Sequence, residues 1–226
     1  MRTIATVLLA LLAVTAAPHS RAAQTWTAGK DYFEITPAQP TNVAPGKVEV
    51  REVFSYACPA CNRFRGFMRQ IKKDLPANAQ LFYLPAAFNP SEDWPMFQRA
   101  YFAAKALGIA EKTHQAMYDA IWGGGELETV DPATGRLKKP LPTIEDAAKF
   151  YARVAGVKPA DFLAAANSFS VDLQMKRADA YIKATQVQGT PTLIVNGKYR
   201  LNLGALQTAD KIVDLIKWLV AKESSQ

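Results

Sequence analysis

The chain has 226 residues, 49% of them hydrophobic, with 27 Lys and Arg against 20 Asp and Glu and a formal charge of +7. That much apolar chain supports a real core without help from disulfides, and a modest, scattered basic excess fits a solvated surface better than a nucleic-acid partner. Two cysteines cannot make a four-Cys zinc site, and two histidines give no basis for a zinc cluster or a Ser-His-Asp triad.

Arg2 is a short positive start. Ile4 to Ala17 is an apolar run too short to span a membrane, and Ser20-Arg21-Ala22-Ala23 offers small residues for cleavage. Residues 1–23 therefore read as a removed secretory signal, an uncleaved anchor being the rival. Loss of Arg2 and Arg21 leaves a charge of +5, and of His19 leaves His114 as the one histidine. Outside the cytoplasm a Cys pair can be oxidised.

Asp31 to Thr36 is a short strand candidate, and Thr36 to Gly46 is loop-like. Lys47 to Ser55 reads as a strand, with Val48, Val50 and Phe54 alternating onto one face. Cys58-Pro59-Ala60-Cys61 follows, holding both cysteines of the chain. Phe64, Met68, Ile71 and Leu75 then recur at helical spacing until Pro76, and Pro59 suits a first helical position. Cys58 is thus expected at the exposed tip of a strand-to-helix turn, facing a helix N-terminus, with Cys61 one turn in on the apolar stripe. One presented and one buried sulfur is what dithiol–disulfide exchange needs. The alternative, a static short-loop disulfide, would remove little chain entropy. Arg63, Arg65, Arg69, Lys72 and Lys73 read as the solvated face of the same helix.

Gln80 to Leu84 is a further strand, completing a β-α-β unit with a parallel pair. From Ser91 to Val187 the pattern is helical. Ser91 reads as a cap with Glu92 and Asp93 in the first turn, and Ala110 to Trp122 as a helix with His114 packed or half-exposed on it. Gly123 to Pro142 is a long loop, Thr143 caps a helix through Ala155, and a helical pattern runs from Pro159 to about Gln186. Strands return at Thr190 to Val195, with Asn196-Gly197 as a hairpin turn and Lys198 to Leu203 as the returning strand. Thr208 caps a final amphipathic helix, and Glu223 to Gln226 reads as a polar tail.

This order resembles the thioredoxin fold, and the helical stretch resembles the insertion of the DsbA family of periplasmic thiol:disulfide oxidoreductases. The residues that carry the resemblance are Phe54 to Cys61 (FSYACPAC) and Gly189-Thr190-Pro191-Thr192. It implies an α/β, thioredoxin-like domain at 24–90 and 188–226 with an all-helical insertion at 91–187. It implies that a substrate thiolate attacks Cys58 and is trapped there, that a second substrate thiol resolves the mixed disulfide and leaves Cys61 as a buried thiol, that Pro191 is a cis-proline facing the pair, and that Thr190 touches the disulfide. It also implies that the Pro191 loop binds the extended substrate by backbone pairing. Glu52, six residues before Cys58, falls where the fold carries a buried acid. Its place on the Val48, Val50, Phe54 face agrees, so desolvation should raise its pKa and let it exchange a proton with Cys61. A bulge that lets Glu52 reach solvent is the other reading.

By the same resemblance the protein works in the periplasm as a monomer. It passes its disulfide to unfolded secreted proteins, without a cofactor, metal or nucleic acid, and is reoxidised by a membrane partner of DsbB type. The sequence departs from the family at Ala60, where the common dipeptide is Pro-His; alanine cannot donate to a thiolate. A reductase or isomerase on the same scaffold, or a secreted binding or chaperone protein with a structural disulfide, stays open.

Overall fold

The computed structural model describes residues 25–225. The signal read at 1–23 lies outside them. Five strands, β1 (Tyr32–Glu34), β2 (Val48–Phe54), β3 (Ala79–Pro85), β4 (Thr192–Val195) and β5 (Tyr199–Leu201), form one sheet in the order β1-β5-β4-β2-β3. β2 runs parallel to β3, with Val48 opposite Ala79, and antiparallel to β4, with Val53 opposite Thr192. The parallel step is spanned by α1 (Pro59–Asp74), as a crossover connection requires. Both ends of the next connection therefore lie at the Phe54 end of the sheet. Between β3 and β4 come a 3₁₀ turn (Pro90–Glu92) and five helices: α2 (Trp94–Ala106), α3 (Ala110–Trp122), α4 (Ile144–Ala155), α5 (Pro159–Ala166) and α6 (Phe169–Ala184). A short α7 (Leu203–Leu206) and the long α8 (Ala209–Ser224) close the chain.

β2 is the organising strand, and every one of its residues is buried. Val48, Val50 and Phe54 share one face as read, and the opposite face is covered too, because a central strand packed on both sides has no solvent face. Val48 and Val50 pack with Met68 and Ile71 of α1 and with Ile212, Leu215, Ile216 and Leu219 of α8. Val53, on the other face, joins Ile182 of α6 and Ile194 of β4. Phe54 leaves both groups and packs with Phe97, Tyr101, Met117 and Tyr118 of the inserted helices. Polar residues on the Val53 face are paired. Arg51 Nε lies 2.7 Å from Glu49 Oε1, and the guanidinium sits 4.1 Å over the Tyr181 ring.

Three readings of element ends change. Ser91 is not a cap: Asp93, at φ 63°, precedes α2, which starts at Trp94. Pro95 explains the shift. Capped at Ser91, the helix would need the Pro95 N–H, which does not exist, whereas a proline in the first turn costs nothing. The pattern from Pro159 to Gln186 is two helices, broken at Asn167, because the Ser168 hydroxyl accepts from the Val171 N–H (3.3 Å) and starts α6. The returning strand stops at Leu201, with α7 beyond it. The caps at Thr143 and Thr208 form as read, the first as a reciprocal box with Asp146.

Glu223 is not part of a tail. It lies in α8, its side chain is 2% exposed, and it accepts from Lys198 Nζ (2.6 Å), Tyr199 Oη (2.8 Å) and Asn196 Nδ2. These donors come from the β4–β5 hairpin, so α8 is anchored to its turn. That turn needs both residues in the left-handed region, Asn196 at φ 51° and Gly197 at φ 64°. A Cβ at 197 would also sit 2.1 Å from the Gln39 carbonyl oxygen, so glycine lets the Pro-rich loop cross the hairpin.

Candidate active site

β2 ends at Phe54, and Ser55 to Ala57 carry the chain into α1 with Cys58 as its N-cap (φ −83°, ψ 117°). The Cys58 N–H donates to the Ser55 carbonyl (3.2 Å), and the Cys58 carbonyl accepts the Asn62 N–H (3.1 Å). No side chain caps the helix. Its first N–H groups are left for the sulfur, and those of Ala60 and Cys61 act on Cys58.

Both cysteines are free thiols and both are buried, Cys58 at 5% exposure and Cys61 at 1%. The expectation of a freely presented Cys58 is corrected. The reason is a loop 132 residues away: Cys58 Sγ donates to the Thr190 carbonyl at 3.4 Å, and the Thr190–Pro191 bond beside it is cis. The structure thus brings Thr190 and Pro191 to the dithiol.

The two sulfurs are electrostatically unlike. The Cys61 thiol, donating to Cys58, is the largest influence that pulls the Cys58 pKa down from 9.0 to about 6, against the burial that opposes it. Burial drives the Cys61 pKa far upward, and the Cys58 charge adds to that. Thr190 Oγ1 is buried without a hydrogen-bond partner among the described residues, and its hydroxyl favours the thiolate form of either sulfur. Glu52 is 2% exposed, opposite Tyr83 of β3 and Leu193 of β4, with no bulge to release it. Burial, with a smaller push from Cys58, raises its pKa from 4.5 to about 8, so its carboxyl is largely protonated at neutral pH.

One part of the site was not read from the sequence. Tyr56 is held by α3 at both ends: its hydroxyl shares a 2.9 Å hydrogen bond with His114 Nδ1, and its carbonyl accepts from Trp122 Nε1 at 2.8 Å. His114 packs edge-to-face with Phe54 and Tyr118 and at a tilt against Tyr83, and burial lowers its pKa to about 3, so it is neutral. The sequence signal was a lone histidine on an apolar helical face, read as packed or half-exposed; the structure buries it and gives it Tyr56 as a partner. The basic face of α1 is solvated as read, with Arg63, Arg69, Lys72 and Lys73 exposed, and two of its residues pair with α3: the half-buried Arg65 with Asp119 (2.7 Å) and Lys72 with Glu111. Beside the dithiol, Ala60, Phe64, Phe67, Pro191, Leu203 and Ile212 line an apolar groove of about 270 Å³.

A family model described as "DSBA-like thioredoxin domain" matches residues 67–217. The "Thiol:disulfide interchange protein DsbA" of Pseudomonas aeruginosa is 34% identical over 201 residues, 89% of this chain and 87% of that one. The chain belongs to the DsbA-like thioredoxin-domain family. The protein of the same description from Burkholderia cepacia is 33% identical, covering 87% of this chain and 85% of that one. Among solved structures, DsbA of Pseudomonas aeruginosa superposes with a TM-score of 0.72 at 32% identity, over 88% of this chain and 95% of that one. DsbA of Xylella fastidiosa gives 0.74 at 31%, over 88% and 98%. The fold is thus thioredoxin-like with inserted helices, as expected, and the family fits a chain whose two cysteines sit at a helix N-terminus. Among the described residues no group of His, Cys, Asp and Glu is arranged to hold a metal, and no helix is long and apolar enough to cross a membrane.

Proposed function

We propose that this protein is a disulfide donor of the periplasm, passing the Cys58–Cys61 disulfide to newly translocated polypeptides. That it is a thiol:disulfide oxidoreductase follows from its family. The direction rests on one observation: Cys58 Sγ lies at the uncapped N-terminus of α1, where the Cys61 thiol and the N–H groups of Cys61 and Ala60 pull its pKa down to about 6, while burial raises that of Cys61. A stable Cys58 thiolate favours the reduced form, and so favours giving the disulfide away.

In the forward step a substrate thiolate attacks Cys58 Sγ. A substrate–Cys58 disulfide forms, the Cys58–Cys61 bond breaks, and its electron pair leaves on Cys61 Sγ. Cys61 must then take a proton, for which the protonated Glu52 is the nearby buried acid of fitting pKa. A second substrate thiolate attacks the substrate sulfur of the mixed disulfide and expels Cys58 as thiolate. Two electrons pass to the pair, and the substrate holds the disulfide. The Pro191 loop and the adjoining apolar groove suit an extended, unfolded chain. Reoxidation falls to a membrane, quinone-linked partner of DsbB type, with no bound cofactor and the protein acting as a monomer.

The test is catalysed oxidation of a reduced, unfolded test protein, with the reduction potential of the pair measured alongside. Fast oxidation with a potential well above that of thioredoxin, ~−270 mV, is expected. A value near thioredoxin's would make the protein a reductase, and failure to oxidise with an inert disulfide would make the cysteines structural.

A further inference from the structure

β3 is an edge strand, and the dithiol chemistry does not use its outer side. The Val48 N–H donates to the Asn78 carbonyl (2.8 Å) and the Ala86 N–H to the Phe54 carbonyl (2.7 Å), which fixes the ladder at both ends. In that register Gln80, Phe82 and Leu84 bond back to β2, and Ala79, Leu81 and Tyr83 turn their backbone groups outward. The protein closes some of these itself. The Ala79 N–H reaches the Pro76 carbonyl (2.9 Å), and Tyr101 Oη donates to the Tyr83 carbonyl (3.3 Å). Left over are the Ala79 carbonyl, both groups of Leu81 and the Tyr83 N–H, none with a partner among the described residues. They face a groove of about 680 Å³ between the end of α1, at Leu75 and Pro76, and the α2–α3 corner, at Tyr101 and Gly108.

Open strand edges are ordinarily blunted by a charge, a proline or a bulge. β3 carries no charge and no bulge, its one proline comes at the last residue, Pro85, and from Ala79 to Leu84 (AQLFYL) its apolar residues are only half-buried. Charge on the groove walls is unbalanced. Lys72 is paired with Glu111, whereas Lys105 has no ion-pair partner among the described residues. Burial and the nearby Arg51 disfavour the Lys105 charge, Glu49 offsets them only in part, and an incoming carboxylate would add to that offset.

We propose that the β3 edge binds an extended acidic and apolar polypeptide segment as a sixth strand, bonded to Ala79, Leu81 and Tyr83 and carrying a carboxylate to Lys105. That the segment belongs to an unfolded client rests on the donor reading above. The edge would hold the client away from its cysteine while the Pro191 loop holds it beside the cysteine. The contact is backbone-directed, so it suits a protein that must accept many sequences.

A fluorescent, cysteine-free seven-residue peptide of alternating Val and Asp is titrated into the oxidised full chain, with amide exchange followed at Leu81 and Tyr83. Binding should protect both amides and weaken with salt. Leu81→Pro removes an outward N–H and no bond to β2, and should weaken binding roughly tenfold. Lys105→Glu should weaken the Asp peptide and favour a Lys counterpart. A peptide N-methylated on alternate residues leaves the protein untouched and should not bind. Equal binding of the methylated peptide, protection at the Pro191 loop instead, or self-association closing the same amides would each overturn the proposal. Oxidation of the unfolded test protein is measured in parallel: intact oxidation without peptide binding sinks this inference alone, and peptide binding without oxidation sinks the donor reading alone.

Discussion

Ala60 gives the Cys58 sulfur a backbone N–H and nothing more. An imidazole at this position could donate to the thiolate, and a hydrogen bond to a charged group is worth ~1.5–3 kcal/mol at most. Ala60→His should therefore raise the potential by about 30–60 mV, read by equilibration against glutathione. An unchanged or lower value would mean that the helix terminus, Cys61 and Thr190 already saturate the sulfur. Glu52 offers a second test. It acts as an acid when Cys61 leaves, so the rate of mixed-disulfide formation per substrate thiolate should fall as pH rises through about 8, where the carboxyl loses its proton. Glu52→Gln should slow the step by on the order of a hundredfold and abolish that inflection. A variant that keeps the inflection would assign it to another group.

At the scale of elements, α8 and the β4–β5 hairpin are joined through Glu223, whose three donors all come from the hairpin. Glu223→Ala leaves Lys198, Asn196 and Tyr199 without their acceptor and should cost about 2 kcal/mol in urea unfolding. The potential should not move, because the hairpin turn lies at the Glu49 end of the sheet, away from Cys58. A shifted potential would mean that α8 tension reaches the dithiol. This contact also marks where sequence reading stops. β2, α1 and the caps at Thr143 and Thr208 were legible because spacing, proline and cap chemistry act within a few residues. Glu223 looked like a tail because its donors lie 24 to 27 positions away. The covering of Cys58 by Thr190 spans 132 positions, and the bond from Tyr56 to His114 spans 58. The false start at Ser91 is different in kind: Pro95 forbade it locally, and that signal was present to be read.

For the whole molecule, the Cys58 thiolate links redox state to stability. Its pKa falls from 9.0 unfolded to about 6 folded. A depressed folded value stabilises the reduced protein fully above the unfolded pKa, and the gain is lost as pH falls through about 6. Cys61, raised by folding, acts oppositely: its thiol form is stable below 9.0, and it costs stability as pH rises beyond that. Reduced protein should thus melt above oxidised protein between about pH 6 and 9, by ~2–4 °C for each kcal/mol. The gap should close toward pH 5, because the oxidised form has no thiolate and its four-residue loop adds little. Paired melts at pH 7.5 and 5 check this, and an oxidised form that melts higher at pH 7.5 would remove the basis of the donor assignment. The sheet order carries one more consequence. β3 leaves and β4 returns on either side of β2, both beside the Phe54 end. Two strand spacings, about 10 Å, separate these crossings. Closing a flexible excursion costs only about 0.6 kcal/mol more for each doubling of its length. Selection can therefore enlarge, trim or exchange what is threaded there with little penalty to the sheet, and every such graft emerges within reach of the reactive sulfur.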